Sequence, residues 1–314
     1  MERRDIHIHF GDIKVGSTID PFWNLQGEAK AAKQKELGRR IHSTTPATIE
    51  DIRQRVKQEG LTQVSLLCDH RSYLAKGAAE LAQAVEVTPV YWERDWDNPN
   101  IPPFAKAIKI HPVIDSRTAS VENLRKVMDI AKDRKIPVLF HTEDENPDLS
   151  RGTSMAQLAQ AYPEVTIVAL HSGAYGPPQL LGEENYKKEY KKTLVALVSE
   201  MIDAAVKHPN IILETSCLAF PEKAQLLYDA TRKHPELLDR IVMGSDFPIL
   251  EQYDQLKIHN TYNQQESTLR SVGFSDGDIA RFYENVRRIA PPLTKQEISG
   301  MHAKGYARSD FERA

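Results

Sequence analysis

The chain has 314 residues, of which 40% are hydrophobic and 27% charged, so it can bury a large core without the help of disulfides. Its two distant cysteines, Cys68 and Cys217, form no paired cysteine metal clip, and a formal net charge of -3 without a long basic stretch argues against nucleic acid as the main partner. No run of about 18 apolar residues that could cross a membrane exists, and no apolar secretory segment follows Met1, so we expect a cytoplasmic location.

Eight short β-rich segments alternate with longer helical patterns along the chain. The eight strands are predicted over Asp5–Phe10, Gln63–Cys68, Val87–Trp92, Ala107–His111, Pro137–His141, Thr166–His171, Ile211–Thr215 and Arg240–Asp246. Alternation of strands and helices is typical of βαβ units, and eight is the number of strands in a closed parallel barrel. The sequence therefore predicts an α/β fold of the (β/α)8 TIM-barrel class.

Apolar residues at helical spacing mark the helices between these strands. The clearest stripes are Ile49, Ile52 and Val56; Val121, Leu124, Met128 and Ala131; and Leu194, Leu197, Val198, Met201, Ile202 and Ala205. Thr45-Pro46 is predicted to cap the first of them. His208-Pro209 and His234-Pro235 are predicted to end two helices, because a residue that precedes proline avoids helical backbone angles.

Three stretches are longer than the minimal strand-helix repeat needs. They are Gly11–Thr45, Asp95–Pro103 and Ala174–Tyr190, which follow the first, third and sixth predicted strands. In a barrel, all three would be loop insertions at the C-terminal face. We therefore expect a single barrel domain over residues 1–292, followed by a polar tail over 293–314 that is an arm or disordered.

Polar residues stand where several of the predicted strands end. They are His7 and His9 on the first strand, Lys109 and His111 on the fourth, His141 on the fifth, His171 on the sixth and Asp246 on the eighth. The C-terminal ends of the strands meet at one mouth of a barrel, even when hundreds of residues separate them in sequence. The sequence thus predicts one polar cluster at that mouth.

Side-chain alternation within the strands sharpens this prediction. In the first strand, Ile6 and Ile8 share one face while Asp5, His7 and His9 share the other. The same alternation places apolar and polar residues on opposite faces of four other strands. Ile108 and Ile110 lie opposite Lys109 and His111, and Val138 and Phe140 lie opposite His141. Val168 and Leu170 lie opposite His171, and Ile241 and Met243 lie opposite Gly244 and Asp246. The apolar members are expected to face the helices and the polar members the barrel axis.

Neutral imidazoles and a carboxylate are ligands suited to zinc, and also to manganese, iron or cobalt. Two histidines at positions i and i+2 of a strand point the same way, so His7 and His9 can hold one ion. A catalytic ion keeps a position open for water, whose pKa it lowers toward about 7. The predicted cofactor is one divalent ion, with zinc preferred, and a second ion is less favoured.

Several motifs resemble those of the amidohydrolase superfamily, and more narrowly its amidohydrolase-2 branch. Its HxH opening is similar to Asp5-Ile6-His7-Ile8-His9-Phe10. The fourth-strand motif of that branch resembles Lys109-Ile110-His111-Pro112, and its fifth-strand motif resembles Pro137-Val138-Leu139-Phe140-His141-Thr142. Its sixth-strand motif resembles His171-Ser172-Gly173, and its eighth-strand motif resembles Gly244-Ser245-Asp246-Phe247-Pro248. Its C-terminal helix resembles Tyr283-Glu284-Asn285-Val286-Arg287-Arg288. Any one motif is weak, whereas the ordered set spans nearly the whole fold.

This resemblance implies that His7, His9, His141 and Asp246 hold the metal. His171 would either bind a second ion or hydrogen-bond the substrate. One departure from the family pattern follows His141-Thr142, where the chain has Glu143 instead of the frequent glycine. Glu143 shares the strand parity of His141 and is therefore included among the residues expected to contact substrate.

Lys109 has three alternative roles. Its amine could form a carbamate that bridges two metals, anchor a substrate carboxylate, or form a buried salt bridge, for which Glu214 is the expected partner. His111 is expected to hydrogen-bond behind the metal ligands or to contact substrate. Arg71 and Arg94, which follow the second and third strands, are the cationic groups expected to reach the substrate.

The resemblance implies a metal-dependent hydrolase that cleaves an ester, lactone or amide bond of a small molecule. Asp246 would accept the proton of the attacking water, and His171 would stabilise the oxyanion or assist the leaving group. The alternative is a metal-dependent, non-oxidative decarboxylase of an aromatic or unsaturated carboxylic acid, and a third hypothesis is a non-catalytic binding barrel. No nucleic acid or membrane partner is expected, and the sequence leaves open whether the chain forms a homo-oligomer.

Overall fold

The computed structural model describes residues 1–13, 45–142, 147–174, 184–218, 221–247 and 261–303. Its strands are β1 (Arg3–His9), β2 (Gly11–Ile13), β3 (Thr45–Ala47), β4 (Leu61–Cys68), β5 (Glu86–Trp92), β6 (Ala107–Ile110), β7 (Val138–His141), β8 (Ile167–Leu170), β9 (Ile211–Glu214) and β10 (Ile241–Val242). Its helices are α1 (Ile49–Glu59), α2 (Arg71–Leu81), α3 (Val121–Arg134), α4 (Gly152–Ala161), α5 (Glu184–Lys207), α6 (Pro221–Lys233), α7 (Tyr262–Val272), α8 (Asp276–Ile289) and α9 (Lys295–Ala303).

Eight parallel strands form a barrel in the order β1-β4-β5-β6-β7-β8-β9-β10. The last strand returns to the first: Ile6 N donates to Met243 O at 3.1 Å, His9 N donates to Phe247 O at 2.8 Å, and Ile8 pairs with Phe247 in a parallel bridge. These contacts bring the two outer strands together, so the described strands form a nearly closed barrel. The predicted (β/α)8 TIM-barrel fold is confirmed.

The barrel has an outer and an inner apolar layer, because alternate strand residues face the helices and the axis. The inner layer contains Ile6, Leu67, Val90, Ala107, Leu139, Val168, Leu170, Ile212 and Val242. At the N-terminal end of the barrel, Gln63 Nε2 and Thr88 Oγ1 each donate to Ala290 O at 2.8 Å, just after α8. This end is therefore plugged, and the polar mouth lies at the other.

The helices begin and end largely where the sequence predicts. Proline after His208 and His234 coincides with the ends of α5 and α6, at Lys207 and Lys233. The predicted cap of α1 is wrong: Thr45 belongs to β3, and Thr48 caps the helix in a reciprocal capping box with Asp51. Among the described helices, none is both long and apolar enough to cross a membrane.

The first strand departs from simple alternation. Asp5 pairs with Val64 and Ile8 with Leu66, so three steps along β1 match two along β4, which is a β-bulge. The extra residue turns Ile6 toward the axis and Asp5 away from it, whereas Ile8 still packs under the helices. The expectation that Ile6 and Ile8 share one face and Asp5 and His7 the other is therefore wrong.

The expected insertions are described in part. The residues at the base of the first one pair as an antiparallel ladder between β2 and β3, and residues 14–44 lie outside the described residues. In the second, the buried Glu93 carboxylate accepts from Asp95 N at 2.9 Å and Asn100 N at 2.7 Å, which ties the loop to the end of β5. Residues 175–183 of the third also lie outside the described part, and α5 already begins at Glu184.

The start of the predicted polar tail packs on the barrel. Leu293 N donates to Val87 O at 2.8 Å, and both Leu293 and Met301 are buried. Between them, Thr294 and Glu297 form the first turn of α9 through reciprocal hydrogen bonds. Residues 293–303 are thus not an arm, because two apolar side chains anchor an otherwise polar segment, and residues 304–314 lie outside the described residues.

Candidate metal centre

Side chains from the two ends of the chain meet at the barrel mouth. His7 and His9 end β1, and Asp246 follows β10, which is the neighbour of β1 in the closed ring. Asp246 Oδ1 lies 3.2 Å from His7 Nε2 and 3.0 Å from His9 Nε2. All three side chains are buried. The predicted convergence of these residues is thus present in the structure.

His171 reaches the same place by a route that alternation does not predict. Val168 and Leu170 face the barrel axis, contrary to expectation, so a continued strand would turn His171 outward. Instead, β8 ends at Leu170, and His171 and Ser172 adopt left-handed angles with φ of 62° and 47°. Left-handed backbone is uncommon for residues other than glycine, and this turn carries the imidazole into the mouth.

His141 and His111 form the side of the mouth next to His171. His141 Nδ1 lies 3.1 Å from His171 Nε2, and the His141 ring stacks on His111 with centroids 3.7 Å apart. His111 is also stacked with Trp92, with ring centroids 5.5 Å apart and an interplanar angle of 24°. The three near-parallel rings therefore form an aromatic stack beside the other histidines.

Lys109 is fully buried beneath these residues, with Nζ 3.5 Å from His7 Nε2. Burial lowers the pKa of Lys109 to about 7, against the carboxylates of Asp246 and Glu214, which favour its charged form. Glu214 is not the hydrogen-bonded partner that the sequence suggests. Its Oε2 accepts from His171 N at 2.7 Å and from Ser216 Oγ at 2.6 Å, and its Oε1 accepts from Ser216 N at 2.9 Å.

Ser216, Cys217 and Lys223 are site neighbours that sequence reasoning missed. Ser216 Oγ lies 2.7 Å and Cys217 Sγ 3.4 Å from His171 Nδ1, and Lys223 Nζ donates to Ser216 O at 2.6 Å. Burial raises the pKa of Glu214 to about 7, opposed by the Lys223 charge and the hydrogen bonds of Ser216. The available signal was position, because Ser216 and Cys217 directly follow a predicted strand end.

The residues expected to contact substrate have other partners in the structure. Arg71 Nη2 donates to Asn100 O at 2.8 Å and to its Oδ1 at 2.6 Å. Arg94 Nε donates to Asp115 Oδ1 at 3.0 Å, and its guanidinium lies 5.2 Å from the centre of the Trp92 ring. Glu143 lies outside the described residues.

The donor atoms fit a divalent cation. Potential ligand atoms of His7, His171 and Asp246 lie within 4.8 Å of one another, with His9 adjoining through Asp246. Burial, with smaller effects from neighbouring cationic groups, holds the pKa values of His7, His141 and His171 well below the ordinary value, so these imidazoles are neutral. Neutral imidazoles with a carboxylate are the ligand set that zinc and similar ions prefer.

Comparison with protein-family models finds no match to this sequence, and comparison with curated protein sequences finds none either. Solved structures do match. An amidohydrolase from Burkholderia multivorans with bound zinc has a TM-score of 0.56 at 13% identity, over 93% of this chain and 100% of that one.

Two decarboxylases share the fold as well. The 2,6-dihydroxybenzoate decarboxylase from Rhizobium has a TM-score of 0.52 at 14% identity, over 92% of this chain and 98% of that one. The 5-carboxyvanillate decarboxylase from Novosphingobium aromaticivorans was solved in complex with manganese and 4-hydroxy-3-methoxy-5-nitrobenzoic acid. It has a TM-score of 0.52 at 11% identity, over 92% of this chain and 95% of that one. The (β/α)8 fold that the motif resemblance implies is thus confirmed, because this chain shares it with solved structures of an amidohydrolase and of two decarboxylases.

Proposed function

We propose that the protein is a divalent-metal enzyme that hydrolyses an ester, lactone or amide bond of a small molecule. The observation that carries the proposal is the meeting of His7, His9 and Asp246 at 3.0 to 3.2 Å across the barrel seam, with the His171 imidazole beside them. Buried histidines so close together gain little stability without a metal, whereas a shared cation gives each ring nitrogen a partner. The zinc-bound structural neighbour supports the same proposal.

In this proposal His7, His9, His141 and Asp246 hold the ion, as the motif resemblance implies. When bound, a divalent cation supplies Lewis acidity, which activates water and polarises a carbonyl group. Asp246 lies among the ligands and accepts the proton of the attacking water. His171, beside the cluster, assists the leaving group or stabilises the oxygen that becomes negative after its Nε2 has taken up a proton.

The hydrolytic proposal is tested by removing the metal and returning it. Chelated protein should lose activity on a panel of esters, lactones and amides, and zinc or manganese should restore it. The double variant His7→Ala/His9→Ala should be inactive with metal present, whereas His234→Ala, which alters a half-exposed surface histidine, should match the wild type. Activity that is indifferent to chelation would contradict the mechanism.

Decarboxylation of an aromatic carboxylic acid is the second candidate. It is supported by the aromatic stack of Trp92, His111 and His141 beside the cluster, with which a planar ring can pack, and by the fold shared with two decarboxylases of aromatic acids. Lys109 or Arg94 would then compensate the charge of the acid. Release of carbon dioxide from hydroxybenzoates, without hydrolysis of the ester panel, would favour this candidate.

The number of ions separates the roles of Lys109. We propose one ion per chain. Lys109 is then an unmodified amine close to His7 that has a substrate-binding or a structural role. Elemental analysis of the purified protein should give one equivalent of metal. Two equivalents would instead support a carbamate on Lys109 that bridges two ions.

A further inference from the structure

Four groups form a continuous row of hydrogen bonds behind the mouth. Glu214 Oε2 lies 2.6 Å from Ser216 Oγ, which lies 2.7 Å from His171 Nδ1, and His171 Nε2 lies 3.1 Å from His141 Nδ1. All four side chains are buried. The function proposed above gives no role to the first two groups of the row, Glu214 and Ser216.

The direction of the hydrogen bonds follows from the number of protons. Both oxygens of the Glu214 carboxylate accept backbone N–H groups, Oε2 from His171 and Oε1 from Ser216, as an acceptor-only group does. The hydroxyl of Ser216 has a single proton, which it donates to Oε2. Its oxygen can then only accept, so the proton of the next hydrogen bond belongs to His171 Nδ1.

The same reasoning extends to the second ring. A neutral imidazole carries one N–H, so His171 with its proton on Nδ1 presents Nε2 as an acceptor. The proton between the two rings must then come from His141 Nδ1, which makes Nε2 the acceptor atom of His141. Both imidazoles thereby have their proton on the same type of nitrogen.

We propose that Glu214 and Ser216 are positioning residues that fix the tautomers of His171 and His141. The acceptor nitrogen of each ring is thereby set by the buried Glu214 carboxylate, which acts through the Ser216 hydroxyl. The tautomers are a property of the chain itself, and only their consequence for catalysis rests on the proposed function. Hydrogen-bonded partners behind metal-binding histidines commonly act in this way.

The surrounding backbone holds the row in place. Ser172 Oγ donates to Glu214 O at 2.8 Å and accepts from Glu214 N at 2.9 Å, which locks the left-handed turn that carries His171. Lys223 fixes the carbonyl of Ser216. Cys217 Sγ lies 3.4 Å from the same His171 nitrogen, and a thiol is a weaker hydrogen-bonding group than the closer hydroxyl.

The test is nitrogen NMR of metal-free protein labelled with ¹⁵N-histidine, recorded in mildly alkaline buffer, because protonated and unprotonated ring nitrogens have well-separated shifts. We expect protonated Nδ1 and unprotonated Nε2 for His171 and His141, with single-histidine variants used for assignment. Ser216→Ala should give His171 a mixture of tautomers, and Ser216→Thr, which keeps the hydroxyl, should retain the wild-type pattern.

Ser65→Ala is the matched control. Ser65 is equally buried on β4, and its hydroxyl has no hydrogen-bond partner among the described residues, so its removal should leave both rings unchanged. A proton on Nε2 of either ring in the wild type would overturn the proposal, and so would an unaltered His171 pattern in Ser216→Ala. The wild-type spectrum tests the predicted tautomers even if Ser216→Ala fails to fold.

Activity adds a separate readout. In the metal-loaded enzyme, we expect Ser216→Ala to lower kcat about 10–100-fold, with Ser216→Thr restoring most of it. The spectra do not depend on turnover: an inactive protein with the expected tautomers would refute the proposed function only. An active enzyme with the opposite tautomers would refute this inference only.

Discussion

His9 and Asp246 are 237 residues apart in the chain, yet His9 Nε2 lies 3.0 Å from Asp246 Oδ1 across the seam where the last strand joins the first. The backbone closes beside them, where His9 N donates to Phe247 O. The candidate metal centre therefore bridges the two ends of the fold. A cation held at this position would stabilise closure of the barrel as well as support chemistry.

Metal should consequently stabilise the protein against unfolding. A ligand that binds only the folded state adds about 2.7 kcal/mol when its free concentration is about 100 times Kd. We expect zinc to raise the Tm of chelated wild-type protein by several degrees, and Asp246→Asn to abolish the increase, as measured by differential scanning calorimetry. Asp203→Asn, at an exposed position of α5, should respond like the wild type, and an equal response of Asp246→Asn would count against a site at the seam.

Asp5 should matter for metal affinity without being a ligand. Its Oδ1 accepts from His7 N at 2.8 Å and from Ser245 N at 3.1 Å, and its Oδ2 accepts from the Ser245 hydroxyl, so one carboxylate ties the bulge of β1 to the residue before Asp246. Asp5→Asn keeps the size but loses one acceptor. We expect about 1–3 kcal/mol lower unfolding free energy in urea and about 10–100-fold weaker metal binding by isothermal titration.

The matched control for Asp5→Asn is Asp239→Asn, which weakens an exposed ion pair with Arg281. It should alter stability by about 1 kcal/mol or less and leave metal affinity unchanged. If Asp5→Asn bound metal with wild-type affinity, the buried carboxylate would have a structural role alone.

The sequence predicted the barrel and most of the polar mouth because both depend on local repeats. Strands of period two end in His9, His141 and similar residues, and a closed barrel brings such ends together. The bulge in β1 was not predictable, since it depends on the pairing of Asp5 with Ser245, which lies at the other end of the chain. The left-handed turn at His171 and its contact with Ser216 also depend on tertiary packing. The residue types next to them in sequence do not predict either feature.

Gly244 should tolerate no side chain. A Cβ atom there would overlap Glu214 Oε1 and lie 2.8 Å from its Cδ, so Gly244→Ala has to displace the buried carboxylate. We expect a loss of about 1–3 kcal/mol in unfolding free energy, typical of overpacking, together with a disturbed His171. Gly300→Ala in α9, where a Cβ meets no atom within 4 Å, should be neutral or stabilising by up to about 1 kcal/mol. Equal stability of the two variants would refute the steric argument.

The contact between Arg151 and Glu200 should make stability depend on pH. Arg151 Nη2 donates to Glu200 Oε2 at 2.7 Å, and Glu200 Oε1 accepts from Thr153 N at 2.8 Å, so a carboxylate of α5 caps the first turn of α4. The hydrogen bonds from Arg151 hold the pKa of Glu200 below the ordinary value of 4.5, against partial burial. Its ionised form is thus favoured by folding.

Because the folded pKa of Glu200 is depressed, the stabilisation is complete above the unfolded pKa and is lost as pH falls through the folded value. In urea unfolding, Glu200→Gln should be less stable than the wild type near neutral pH, by about 1 kcal/mol or less since the pair is partly exposed. The difference should shrink as the pH falls below about 4.5. Arg151→Met should flatten the same part of the profile, and combining it with Glu200→Gln should add little. A difference between wild type and Glu200→Gln that stays constant down to acid pH would show that the carboxylate gains nothing from Arg151.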